Sequence, residues 1–250
     1  MRVVLLLILV ACGRVGFVSA DGSTALVDAV ATDPYSTAVL ADDPIGYWRL
    51  DETTGTIARD EVGAHPGIYD PACKLGVAGA IAGNAAVQFD GSACNIEIGD
   101  AFPFEGVPSF SIEVWAAPDV VDMAVRRLVS RRGAADGTPG YQLAFYEPVL
   151  WFEQFDTSQD LDYLSTDPPA VGVFEHIVIT VDGTQQALYI NGAVAMQTDF
   201  MPSIPTASGT VLFGDISPDV FYKFSGVLDE VAFYGHPLDA SRVAAHYAAR

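Results

Sequence analysis

The sequence predicts an all-β chain that folds as two packed antiparallel sheets. Three observations carry the prediction. From Ile45 to Arg250, turn residues recur roughly every eight to twelve positions. Between them lie short segments that alternate apolar and polar residues with the period of a half-buried strand. Asn191-Gly192 stands between Leu188/Ile190 and Val194/Met196. Both central residues of a type I′ hairpin turn need positive φ, which Asn and Gly tolerate.

In order, Met1-Arg2 supplies one positive charge before the apolar run Val3–Val10, eight residues that suit a signal-peptide core and cannot span a bilayer. Leu9-Val10-Ala11-Cys12-Gly13 resembles a bacterial lipobox with lipidation at Cys12. Cleavage after Val18-Ser19-Ala20 is the other reading of residues 1–20, and under either the protein is exported. Residues 21–44, rich in Ala, Thr, Ser and Asp with Pro34 and Pro44, read as a solvated tether reaching about 25–30 Å. Residues 45–250 form one domain.

Strands are expected over Gly46–Asp51, Ala85–Asp90, Asn95–Gly99, Ser109–Ala116, Arg127–Arg131, Tyr141–Tyr146, Val149–Phe155, Val173–Asp182, Gln186–Asn191, Ala193–Thr198, Thr210–Gly214 and Phe224–Tyr234. In the last, Asp229 alternates onto the face of Val227, Val231 and Phe233, so its carboxylate must be hydrogen-bonded, paired or at a rim. Asp182-Gly183 marks a second turn. Pro237 and Asp239 open a short C-terminal helix with Leu238, Val243 and Tyr247 as its apolar stripe, expected to plug the sandwich edge.

Half the residues are apolar, as in a globular domain. Twelve basic against 32 acidic residues give a formal charge of −20, which argues against nucleic acid and against anionic lipid headgroups. With Cys12 lipidated, Cys73 and Cys94 remain as an even pair in an oxidising compartment. A bridge between them would be worth about 3 kcal/mol; the other reading is two buried thiols. The four histidines, 65, 176, 236 and 246, lack zinc-ligand spacing. The basic positions Arg126, Arg127, Arg131 and Arg132 read as a solvated face.

Several blocks, in order, resemble the laminin-G-like, concanavalin A-like jelly-roll domains of secreted bacterial proteins: "YWRLDETTGTIARDEVG" from Tyr47, "GAIAGNAAVQFDG" from Gly79, "FSIEVWAAPD" from Phe110, "FEHIVITVDGTQQALYINGAVA" from Phe174 and "GVLDEVAFYGHPLDASRVAAHY" from Gly226. In that family the Trp115 position anchors the core. Phe174-Glu175-His176 departs from the usual Trp-His opening, so a phenyl ring takes an indole's place. The resemblance implies an all-β, two-sheet antiparallel jelly-roll sandwich with a short C-terminal helix. It also implies a non-catalytic binding module, with calcium held at a rim site. The matching acids are Asp51, Asp90 and Asp229; their other reading is as turn caps. Calcium takes six to eight oxygens, which loop carbonyls and carboxylates supply.

Glucan hydrolases share this architecture, and retaining enzymes need two carboxylates about 5–5.5 Å apart. A Glu-x-Asp-x-x-Glu strand is absent and Glu113 stands alone. Adjacent Asp229 and Glu230 point to opposite faces of a regular strand. Recognition is therefore the expected function, of a carbohydrate or a cell-surface protein; the other readings are a structural or adhesive surface domain with no small ligand and a glycoside hydrolase of the same fold. Trp151, Phe155 and Tyr163 are the candidates to contact the ligand, and packing at a sheet edge is their other reading. Membrane contact is expected only through the lipid.

Overall fold

The structure, a computed structural model, describes residues 15–18, 24–27 and 33–250 apart from 106, 108, 133–138, 147–148, 156–159, 168–169, 200–206 and 217–222. Cys12 and the cleavage site after Ala20 lie outside the described residues. Two strands, β1 (Val15–Val18) and β2 (Thr24–Val27), pair antiparallel with each other. The tether expectation is corrected from Asp33 onward. Asp33 caps helix α1 (Pro34–Leu40) by accepting from the Ser36 N–H at 2.7 Å, and Pro34 stands at its first turn, where a missing N–H costs nothing. Tyr35 and Val39, four residues apart on one helical face, are both fully buried. The folded unit therefore begins near residue 33, not 45.

The remaining strands are β3 (Gly46–Trp48), β4 (Ile57–Ala58), β5 (Gly67–Tyr69), β6 (Lys74–Ala78), β7 (Ala85–Asp90), β8 (Ile96–Gly99), β9 (Phe110–Pro118), β10 (Arg126–Arg132), β11 (Gly140–Tyr146), β12 (Val149–Phe155), β13 (Asp160–Thr166), β14 (Glu175–Val181), β15 (Gln185–Ile190), β16 (Ala193–Asp199), β17 (Thr210–Phe213) and β18 (Ser225–Tyr234). Helix α2 (Ala240–Ala248) follows. Sheet I runs β13-β12-β11-β10-β17-β8-β5-β4, and sheet II runs β16-β15-β14-β9-β18-β7-β6 with β3 also on β18. The chain's ends meet: Trp48 pairs with Val231 and Gly46 with Phe233. Ile190 pairs with Ala193 across Asn191 (φ 52°) and Gly192 (φ 81°), the predicted two-residue hairpin.

Alternate residues of the two sheets face inward and form the main core. Trp48, Phe102, Phe213 and Phe233 pack there with ring centroids 4.7–6.2 Å apart. The Cys73–Cys94 disulfide forms. A second apolar layer lies on the outer face of sheet II, where Tyr35 and Val39 of α1 and Val243 of α2 cover Tyr47, Trp115, Val178 and Tyr234. Two expectations change as a result. Helix α2 covers a sheet face instead of plugging an edge, and Trp115 anchors this outer layer, its ring stacked 5.9 Å from Tyr247, instead of the inter-sheet core.

A bulge in β18 changes a third. Its pairing with β9 slips between Asp229 and Ala232, and Glu230 takes φ 51°. The slip puts Leu228 in the main core with Val231 and Phe233, so Asp229 no longer shares their face.

Candidate functional site

Sheet I carries the predicted ligand-contacting residues. On β12, Leu150 and Phe152 enter the core, so Trp151, Glu153 and Phe155 alternate onto the outer face. On β11, Tyr141, Leu143 and Phe145 point inward and Gln142 and Tyr146 outward. Register places Gln142 beside Glu153, and Ala144 between Trp151 and Arg127. A polar row crosses three strands there. Arg127 Nε donates to Gln142 Oε1 at 2.5 Å, and Gln142 Nε2 donates to Glu153 Oε1. The charged partners at either end fix which way the amide points. Trp151 packs against Tyr146 with centroids 5.0 Å apart, and its Nε1 donor has no partner among the described residues. Phe155 lies across Gly140, where a Cβ would come within 2.7 Å of the ring, and Arg132 sits 5.9 Å from its centroid. Tyr163 is the register partner of Glu153 on β13, and its side chain lies outside the described residues. The polar row was missed because Arg127, Gln142 and Glu153 meet only through strand register.

The three calcium candidates do not assemble as a trio. Asp90 pairs with Ser225, four residues along β18 from Asp229. Burial pushes its carboxyl up, but its Oδ1 accepts the N–H groups of Ser92, Ala93 and Cys94 at 2.8–3.0 Å, and together these bonds outweigh burial and hold the carboxyl below the usual range. That is the turn-cap arrangement. Among the described residues, no three His, Cys, Asp or Glu side chains are grouped to hold a metal ion.

Asp51 and Asp229 do come together. Asp229 is fully buried; Oδ2 accepts from the Ala80 N–H at 2.8 Å while Oδ1 has no partner among the described residues. Burial, with a smaller contribution from the Asp51 charge, raises its pKa from 3.8 to about 7. Glu230, equally buried, is raised too, first by burial and then by Asp229. The bulge thus brings together two carboxyls that strand alternation would have separated. Glu230 accepts from Tyr47 Oη and Asn84 Nδ2, and Arg49 spans Asp33 (2.6 Å), Asp51 (3.3 Å) and Glu230 (3.7 Å).

Glu113 does not stand alone. Beneath α1 and α2 it accepts from Tyr35 Oη (2.8 Å) and Tyr234 Oη (2.7 Å) and meets His176 Nε2 (2.6 Å) and His246 Nδ1 (3.0 Å). Burial pushes its pKa up, but the histidine bonds outweigh it and hold the carboxyl below the usual range. His246 also reaches Asp42 at 2.8 Å. Burial alone would lower its pKa; the bonds to Glu113 and Asp42 raise it instead. Two of the four isolated histidines thus converge on one acid through pairing of β9 with β14 and docking of α2. The arginine expectation is corrected as well: Arg131 is 1% exposed, paired with Glu105 and with Asp100 at 2.8 Å, and Arg127 is also buried.

Two facing antiparallel sheets, with β3 from the start of the sandwich paired to the last strand, β18, define a jelly-roll sandwich. The family model of the concanavalin A-like lectin/glucanases superfamily matches residues 90–244, and the chain belongs to that family. No curated protein matches the sequence. Among solved structures, domain 4 of AbnA, an extracellular arabinanase of Geobacillus stearothermophilus solved with arabinotriose, is similar at 16% identity and TM-score 0.63, over 82% of this chain and 98% of that one. The binding domain of Paraclostridial Mosquitocidal Protein 1 is similar at 16% identity and TM-score 0.65, over 83% and 52%. The binding domain of botulinum neurotoxin serotype D is similar at 13% identity and TM-score 0.66, over 84% and 52%. This chain spans about half the length of the two toxin domains. At these identities the likeness is one of fold.

Proposed function

We propose that this chain is an exported, non-catalytic binding module that takes a carbohydrate on the outer face of sheet I. One observation carries the reading: the half-buried rings of Trp151 and Phe155 flank Glu153, which is tied through Gln142 to Arg127. Rings offer a face to the C–H side of a sugar, and the buried Gln142–Glu153 pair beneath them fixes the strands that present that face. The family supports recognition, and so does the arabinotriose bound to the similar arabinanase domain. A surface protein is the second reading, favoured by the similarity to toxin binding domains. Lipid at Cys12 remains the proposed anchor. Calcium enters only at Asp51 and Asp229, where Asp229 Oδ1, unpartnered among the described residues, would take a cation in place of a proton.

An array of neutral glycans tests the reading. Wild type should bind, and Trp151→Ala should weaken binding tenfold or more, about 1.4 kcal/mol. Equal binding by the variant would rule this face out. Silence across the array, with capture of a surface protein lost in Trp151→Ala, would favour the second reading.

A further inference from the structure

Sheet II carries a cavity of about 200 Å³ on its outer face, where β14 and β15 meet the turn before α2. Tyr189, Ala187 and Leu238 give it apolar surface, and Thr180, Asp182, Gln185, Gln197 and Asp239 give it polar groups. Asp182 Oδ1 is held by the N–H groups of Thr184 (2.9 Å) and Gln185 (2.8 Å), and Asp239 Oδ1 by those of Ser241 (2.8 Å) and Arg242 (2.9 Å). Among the described residues nothing donates to the second oxygen of either. Gln197 Nε2 donates to Gln185 Oε1, which among the described residues leaves the Gln185 amide nitrogen and the Gln197 amide oxygen open.

We infer that this cavity is a second saccharide site, on the opposite face of the sandwich from Trp151, and that it takes a single neutral sugar ring. The size limits the ligand, because drug-sized molecules occupy roughly 300–1,000 Å³. The charges exclude anions: two ionised carboxylates face the cavity, on a chain of net charge −20. The mixed polar lining selects hydroxyls over a cation. An ammonium only donates, and would leave the Gln185 N–H unmatched, whereas a hydroxyl donates to a carboxylate and accepts from an amide. The Tyr189 ring gives the sugar's apolar side a surface. With ligand sites on opposite faces, one domain can bridge two glycan chains.

The site rests on separate residues from the sheet I reading, so the two can fail independently. Amide chemical shifts of the full chain are followed during titration with methyl glucoside, galactoside, mannoside and arabinofuranoside, with methyl glucuronide and methylammonium as contrasts. At least one neutral glycoside should saturably shift the amides of residues 180–189 and of Leu238 and Asp239, and should do so equally in Trp151→Ala. Asp182→Asn and Gln197→Ala, both at exposed positions, should each weaken that response at least threefold with an unchanged melting temperature; Asn keeps the turn-forming oxygen. No response at these amides, a response to methylammonium or glucuronide alone, or a response untouched by both substitutions would overturn the inference.

Discussion

Asp229 and Glu113 are both buried acids, yet they respond to pH in opposite senses. The folded state raises the Asp229 pKa from 3.8 to about 7, so its contribution to stability is complete below about 3.8 and lost as pH rises through 7. His246, raised above 6.5, likewise contributes below that value and is lost above its folded pKa. Glu113, held below 4.5, contributes above that value and is lost as pH falls. The melting temperature should therefore be highest around pH 3.8–4.5, where Glu113 is ionised and Asp229 is still largely protonated, and should decline from there through pH 7 to 8, and Asp229→Asn should flatten the decline. A melting temperature rising steadily from pH 5 to 8 would refute this. Removing the buried hub with Glu113→Ala strands two histidines and two tyrosines and should cost about 3–5 kcal/mol, or a fall of roughly 6–20 °C in melting temperature. A fall under 3 °C would mean the network is not a structural clasp.

Helix α1 is the element that moves the domain boundary. A chain begun at Ile45 loses burial of Tyr35 and Val39, at about 1.5–3 kcal/mol each, and uncovers the Trp115 layer. It should melt lower and bind a hydrophobic dye, and a chain begun at Asp33 should do neither. Cys73→Ser/Cys94→Ser should cost about 3 kcal/mol, measured by urea unfolding, because the bridge closes a loop across 21 positions. Much of the fold was legible at this scale: the Asn191-Gly192 hairpin and the Asp239 cap follow from local turn and capping chemistry. Helix α1 had its signal too, Asp33-Pro34 followed by apolar residues four apart, but seven residues are too few for a period to stand out. β6 escaped because Gly76, at φ 73°, breaks its alternation, and β13 because its segment is rich in aspartate. Of the site, Trp151 and Phe155 could be read from alternation along one strand. The Arg127–Gln142–Glu153 row and the histidines on Glu113 depend on which strands are neighbours. The bulge at Glu230 left no mark in the pattern of apolar residues.

Across the whole molecule, joined terminal strands hold one sheet face under two helices and leave the other to carry rings and a polar row. Calcium, if it occupies Asp51 and Asp229, should raise the melting temperature over that in chelator, and Asp229→Asn should abolish the difference; equal midpoints in wild type would remove the cation from the account. The most direct test of recognition without chemistry uses the neutral polysaccharide that the array selects. The protein should be retained in a native gel cast with it and release no reducing ends on prolonged incubation. Reducing ends that accumulate in proportion to protein, and cease in Glu153→Gln, would show that the outer face of sheet I cleaves what it binds.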